Sequence, residues 1–170
     1  MPRPDLNSIP AWYHGYVNAV EGNDFLAAMK MQTPAFIRML NKIPVAKRNY
    51  RYAKGKWTIQ ELLQHIIDAE RVFAYRALCF ARKDKTSLPS FDENDYAANS
   101  KAAKREWNHM VAEFKSLRLA TEIMFSSFDK DQLRFVGTAN NNPVSVLAIG
   151  FILVGHVAHH ISIMRSRYLS

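Results

Sequence analysis

Residues 57–82 read WTIQELLQHIIDAERVFAYRALCFAR, and this stretch decides the fold. Thr58 followed by Glu61 is a capping box: the Thr58 hydroxyl takes the Glu61 backbone N–H, and the Glu61 carboxylate takes that of Thr58. Trp57 and Leu62 stand where a hydrophobic staple joins the residue before the cap to the fourth helical position. From Ile59 to about Arg82 the residues Leu62, Ile66, Ala69, Val72, Phe73 and Phe80 recur at helical spacing. A helix with one such apolar face must be covered by others.

Three further helices supply the cover. The first starts at Asn23 as cap and runs to about Lys42, with Phe25, Met29, Phe36, Met39, Leu40 and Ile43 as its inner stripe. Pro34 lies inside it and should kink or break it, because proline removes a backbone donor. The third runs from about Lys101 to Phe128 with Asn99 or Ser100 as cap, and a short turn of helix covers Lys130 to Arg134. The fourth runs from Pro143, suited to a first helical turn, to Tyr168. The expected architecture is an all-α four-helix bundle forming a single domain over 1–170, with an irregular N-terminal segment at 1–22. The connection at 84–100 is too long for a tight helical hairpin and can climb the whole bundle. Helices two and three are then parallel, giving up-down-down-up.

Composition sets the outer limits. The 170 residues are 48% hydrophobic and 22% charged, with 6 Gly and 7 Pro, which excludes disorder and collagen-like repeats. A single cysteine, Cys79, excludes a disulfide framework and a multi-cysteine zinc site. With no apolar signal segment in MPRPDLNSIP, a cytoplasmic location is expected. Residues 144–164 hold no Asp, Glu, Lys or Arg and are long enough to span a bilayer. Three histidines within them, and three amphipathic helices needing a centre, make them the buried helix of the bundle instead.

The histidines carry the chemistry. His156 and His160 are four apart and stack on one helix face, so two imidazoles can share a metal there. His159 is three from His156, and spacing alone leaves 156/159 open as the pair. His65 shares a face with Ala69 and Val72 and points inward. It stands about 9 Å from the start of its helix, and His160 about 12 Å from the end of the last helix. Antiparallel packing brings all three to one level, whereas parallel packing separates His65 and His160 by about 15 Å. Asp68, one turn beyond His65, is the candidate fourth ligand, outer partner or general base. His14 and His109 have no such geometry and are expected on the surface.

With these residues in place, the sequence resembles the DinB-like (YfiT-like) family of metalloenzymes. The resemblance lies in YRYAKGKWTIQELLQHIIDAERVFAYRAL at 50–78, LPSFDENDY at 88–96 and SVLAIGFILVGHVAHHISIMRSRYL at 145–169. It implies a four-helix bundle with the crossover, a divalent metal (nickel or zinc), and His65, His156 and His160 as its ligands. It also implies a homodimer, and a small-molecule substrate handled by transfer of a low-molecular-weight thiol or by hydrolysis.

The formal net charge is +8, and it is local. Residues 25–60 carry eight Lys and Arg and no acid, while the rest of the chain balances. Interleaved with Tyr50, Tyr52 and Trp57, this charge gives a second reading, a non-catalytic protein that binds an anionic ligand or nucleic acid around a structural metal. No nucleic-acid-binding motif accompanies it. The enzyme reading has Lys54 and Lys56 drawing an anionic substrate to the cavity mouth.

Overall fold

A computed structural model describes residues 3–170. The chain forms α1 (His14–Asn18), α2 (Phe25–Asn41), α3 (Val45–Arg48), α4 (Ile59–Ala81), α5 (Glu93–Asn99), α6 (Trp107–Ser126) and α7 (Lys130–Arg134). A hairpin of β1 (Val136–Ala139) and β2 (Asn142–Ser145) then leads into α8 (Val146–Ile163), which continues as a π-helical turn over Met164–Tyr168. The long helices α2, α4, α6 and α8 make the bundle.

Side-chain contacts fix its topology. Phe25, at the start of α2, meets Phe125 near the end of α6, and Phe36 meets Phe114, so α2 and α6 are antiparallel. Phe25 also meets Phe151, and the Gln32 amide donates to the Val154 carbonyl one turn further on, so α2 and α8 are parallel. Down α4, Gln60 reaches Arg105, Arg71 reaches Glu113 and Glu70 reaches Arg118, so α4 and α6 are parallel. At the N-terminal end of α4 the Tyr168 hydroxyl, from the π-helical turn at the C-terminal end of α8, donates to the Trp57 carbonyl, which sets α4 antiparallel to α8. The order is up-down-down-up, with the crossover between α4 and α6.

The α8 helix is the centre. Every residue from Val146 to Val157 is buried, and α1, α2, α4 and α7 pack around it. Among the described residues, the stretch Val146–Tyr168 is long and apolar enough to cross a membrane by length and composition, and 72% of its apolar 18-residue window is buried inside the fold.

Several expectations are corrected. Asp24, not Asn23, caps α2, accepting from the Leu26 and Ala27 amides, and α2 runs through Pro34 uninterrupted. The third long helix starts at Trp107, not Lys101. Lys101 takes a left-handed backbone (φ 54°), Ala102–Lys104 form only a 3-10 turn, and the Gln60 amide holds the Ala102 and Arg105 carbonyls at 2.7 Å, apart from the long helix. Residues 84–100 are partly ordered into α5, capped by Asp92. Pro143 pairs with Thr138 in the hairpin rather than opening a helix. Asn140 and Asn141 turn that hairpin at φ 51° and 58°, the left-handed pair that a two-residue β-turn demands and that asparagine tolerates. Ser145 then caps α8 by accepting from the Ala148 amide.

The segment at 1–22 is not irregular within the described residues (1 and 2 lie outside them). It contains 3-10 turns at Leu6–Ser8 and Ala11–Tyr13 and the helix α1. Arg3 anchors it, donating to the Val20 carbonyl at 2.8 Å and lying over the Phe151 ring.

Candidate functional site

The capping box at Thr58 and Glu61 is formed, with both reciprocal hydrogen bonds present, and it sets the phase of α4. That phase turns His65 toward α8. The Ser145 cap does the same for α8, and its i, i+4 spacing stacks His156 and His160. The Nε2 atoms of His65 and His156 are 3.0 Å apart, as are those of His156 and His160, and the donor atoms of all three lie within 4.8 Å of one another. All three rings are buried. Trp57 covers His65 at 4.7 Å between ring centres, and Tyr16 meets His156 edge-on at 5.4 Å.

Hydrogen bonding alone does not satisfy this cluster. The His156 Nε2 faces two nitrogens, and it either donates one proton or accepts with one lone pair. Two full hydrogen bonds therefore cannot form there: one proton or one lone pair has to be shared between the two neighbours, whichever tautomer is chosen. A cation accepting lone pairs from all three rings satisfies every contact. Imidazole nitrogens are ordinary ligands of a divalent ion such as zinc, and His65, His156 and His160 would be the residues to hold it. His160 Nδ1 is buried without a partner among the described residues.

Burial keeps the rings neutral, which is the form that binds a metal. It pulls His65 down to about 4 and His160 to about 3, where neighbouring histidines add to the effect. His156 lies well below the usual histidine range, first through burial and then through the adjacent His160 and His65 and the Arg118 charge. Below pH 6.5 an unfolded chain takes up protons that the folded triad refuses. Stability of the metal-free protein is therefore complete above pH 6.5 and is lost as the pH falls toward 4, by up to about 1.4 kcal/mol per pH unit for each histidine. Urea midpoints of chelator-treated protein between pH 7 and 4.5 should fall steadily, and a flat profile would contradict the buried triad.

Above the triad lies a cavity of about 400 Å³. Its walls are aromatic, from Trp12, Tyr13, Tyr16, Phe73 and Phe91, and its charged residues are Arg76 and Glu93. Burial, followed by the nearby Glu93 charge, raises the Tyr16 pKa, so Tyr16 stays a neutral phenol. The N-terminal segment forms one wall because α1 lies directly on α8. A Cβ on Gly155 would overlap the Tyr16 carbonyl, so only glycine beside His156 allows this approach.

Other expected residues fall elsewhere. Asp68 accepts from the Gln64 amide at 2.9 Å, lies 3.9 Å from Arg71 and faces α5, away from the triad. His159 is exposed and packs against Tyr16 and His160. His109 is exposed; His14 is only half-buried, with Nε2 3.2 Å from the Ile9 carbonyl. Lys54 and Lys56 are exposed and do not line the cavity; its cation is Arg76, from the C-terminal half of α4. Part of the basic segment is absorbed by structure, with Arg51 on Glu61 and Lys47 on the Tyr168 carbonyl.

A family model described as the DinB superfamily matches residues 28–164. The chain belongs to the DinB superfamily. Among solved structures, this superfamily member is similar to YfiT from Bacillus subtilis, described as "a probable metal-dependent hydrolase with an unusual four-helix bundle topology". The TM-score is 0.72 at 13% identity, over 95% of this chain and 89% of that one, and such a likeness establishes a shared fold. No curated protein sequence matches the chain. The cavity walls from α1 and the Arg76 guanidinium went unnoticed in the sequence. Arg76 had a signal: it stands eleven residues after His65, three helical turns, and so on the same face.

Proposed function

We propose that this DinB-superfamily protein is a metal-dependent enzyme acting on a small molecule held in the aromatic cavity. The observation that carries this is the buried cluster of three imidazoles whose nitrogens converge more closely than one proton or one lone pair on His156 Nε2 can fully satisfy. His65, His156 and His160 would hold a divalent ion, and imidazole donors suit zinc or nickel. Three protein ligands leave open coordination positions, so the ion would supply Lewis-acid activation, the chemistry that hydrolysis or thiol transfer requires. Tyr16 and Trp57 shield two of the rings, and Tyr13 and Phe73 line the space above them, limiting water around a bound molecule.

Metal analysis of protein purified without a histidine tag tests this reading. One divalent ion per chain is expected, with loss of at least nine-tenths of it in His156→Ala. Wild-type protein that retains no stoichiometric ion after incubation with zinc or nickel would overturn it. So would a His156→Ala variant that keeps its ion. Screening the loaded protein against esters, amides and pairs of a cellular thiol with an electrophile separates hydrolysis from thiol transfer.

A further inference from the structure

Two arginines are almost wholly buried, and the fold treats them oppositely. Arg118 is 0% exposed and paired with the Glu70 carboxylate at 2.8 Å. Arg76 is 4% exposed, and among the described residues no carboxylate lies within 4.0 Å of it. One of its nitrogens, Nη2, donates to the Pro89 carbonyl at 2.7 Å, and its guanidinium lies 5.7 Å from the centre of the Phe73 ring. Its other N–H groups have no protein acceptor among the described residues. An arginine stays charged and presents five donors, so burying it without a counter-ion is costly. Arg76 lines the cavity above the triad, where a ligand can supply the missing anion.

The position of Arg76 specifies the ligand's shape. Eleven residues along α4 separate His65 from Arg76, a rise of about 16 Å. Helical side chains lean back toward the N-terminus, and the stacking of Arg76 over Phe73, three residues earlier, agrees with this direction. The guanidinium is 5.7 Å from the centre of the Phe73 ring, which is 6.3 Å from that of His156, so it sits at most about 12 Å from the triad, on the same helix face. Between them lie Ala69 and Phe73, with Tyr13 across the cavity. We infer that the substrate is an elongated monoanion, with a carboxylate bound to Arg76, an apolar or aromatic body between the rings, and its reacting group at the triad. A carboxylate is favoured over a phosphate because one guanidinium is the only side-chain cation among the described residues of the lining, and Glu93 in the same lining opposes a second negative charge. The placement of the reacting group rests on the proposed metal-dependent function; the anion site does not.

Binding to chelator-treated protein tests the site without the metal. The probes are 4-phenylbutanoate, its neutral amide 4-phenylbutanamide, and 3-phenylpropylphosphonate, followed by calorimetry and by fluorescence of Trp12 and Trp57. The carboxylate should bind at least tenfold more tightly than the amide and more tightly than the phosphonate. Arg76→Gln should lose at least tenfold for the carboxylate and leave the amide unchanged, with Arg76→Lys intermediate. Equal affinity for carboxylate and amide in the wild type, or no binding of either, would overturn the inference whether or not Arg76→Gln folds. A tighter phosphonate would overturn its assignment to a monoanion. Failure of the metal reading would instead appear as carboxylate selectivity in a protein that takes up no ion.

Discussion

Arg118→Met is expected to cost the fold about 3–5 kcal/mol, the penalty for stranding one member of a buried ion pair. Arg118 and Glu70 are 0% and 1% exposed in their side chains. They join α6 to α4, and Arg118 also reaches toward the Leu153 carbonyl of α8 at 3.5 Å. The pair is incompletely satisfied, since Arg118 Nε and Nη1 and Glu70 Oε1 have no hydrogen-bond partners among the described residues. Removing Arg118 leaves a carboxylate in an apolar interior, where it must take up a proton or unfold the protein. The double variant Glu70→Leu with Arg118→Met should recover most of the loss, because replacing both partners removes the desolvation cost as well as the attraction. Urea denaturation of the two single variants and the double measures this directly. A single variant within about 1 kcal/mol of wild type would show that the pair is not acting as one unit.

The second large effect is expected at Gly155. A methyl group there overlaps the Tyr16 carbonyl, and a backbone atom cannot rotate away as a side chain can. Gly155→Ala should therefore lift α1 from α8 and cost about 1–3 kcal/mol. The damage should be local. Amide exchange in 5–20 should lose protection while α4 and the body of α8 keep theirs, and the cavity should lose its Tyr13 and Tyr16 wall. Gly150→Ala is the control. Its methyl meets the Phe25 ring at 2.6 Å, a side chain with some freedom to yield. Equal effects at the two positions, or unchanged protection of α1 in Gly155→Ala, would remove Gly155 from its role as the seat of that wall.

The parts of this molecule that were legible in the sequence are those governed by local rules. The Thr58–Glu61 box, the apolar stripes and the i, i+4 spacing of His156 and His160 each follow from helix geometry. The depth argument that set α4 against α8 needed only the rise per residue, and the length of 84–100 suggested the crossover. What was missed depends on contacts between distant residues. Lys101 to Arg105 resemble the start of a helix, yet Gln60 holds the Ala102 and Arg105 carbonyls apart from it. Pro143 fits a first helical turn as well as a strand, and the Asn140–Asn141 turn decided between them. The segment before Phe25 has no helical period long enough to read, and its order comes from Arg3 and the gap left by Gly155. Asp68 shares a helix with His65, but the angle between them turns its carboxylate to Gln64 and Arg71.

The central place of α8 has a consequence for how the chain reaches its structure. Helical bundles usually fold fast because neighbouring helices meet through short loops. Here the contacts that close the core join Gln32 to Val154, Trp57 to Tyr168 and His65 to His156, which are 122, 111 and 91 positions apart. The faces of α2 and α4 have no complete partner until α8 docks. Each long loop it closes costs entropy before any burial offsets it. Docking of this one helix is therefore expected late in folding, and the three imidazoles come together only with it. By the reach of its contacts the chain is expected to fold more like a sheet protein than like a bundle of its size.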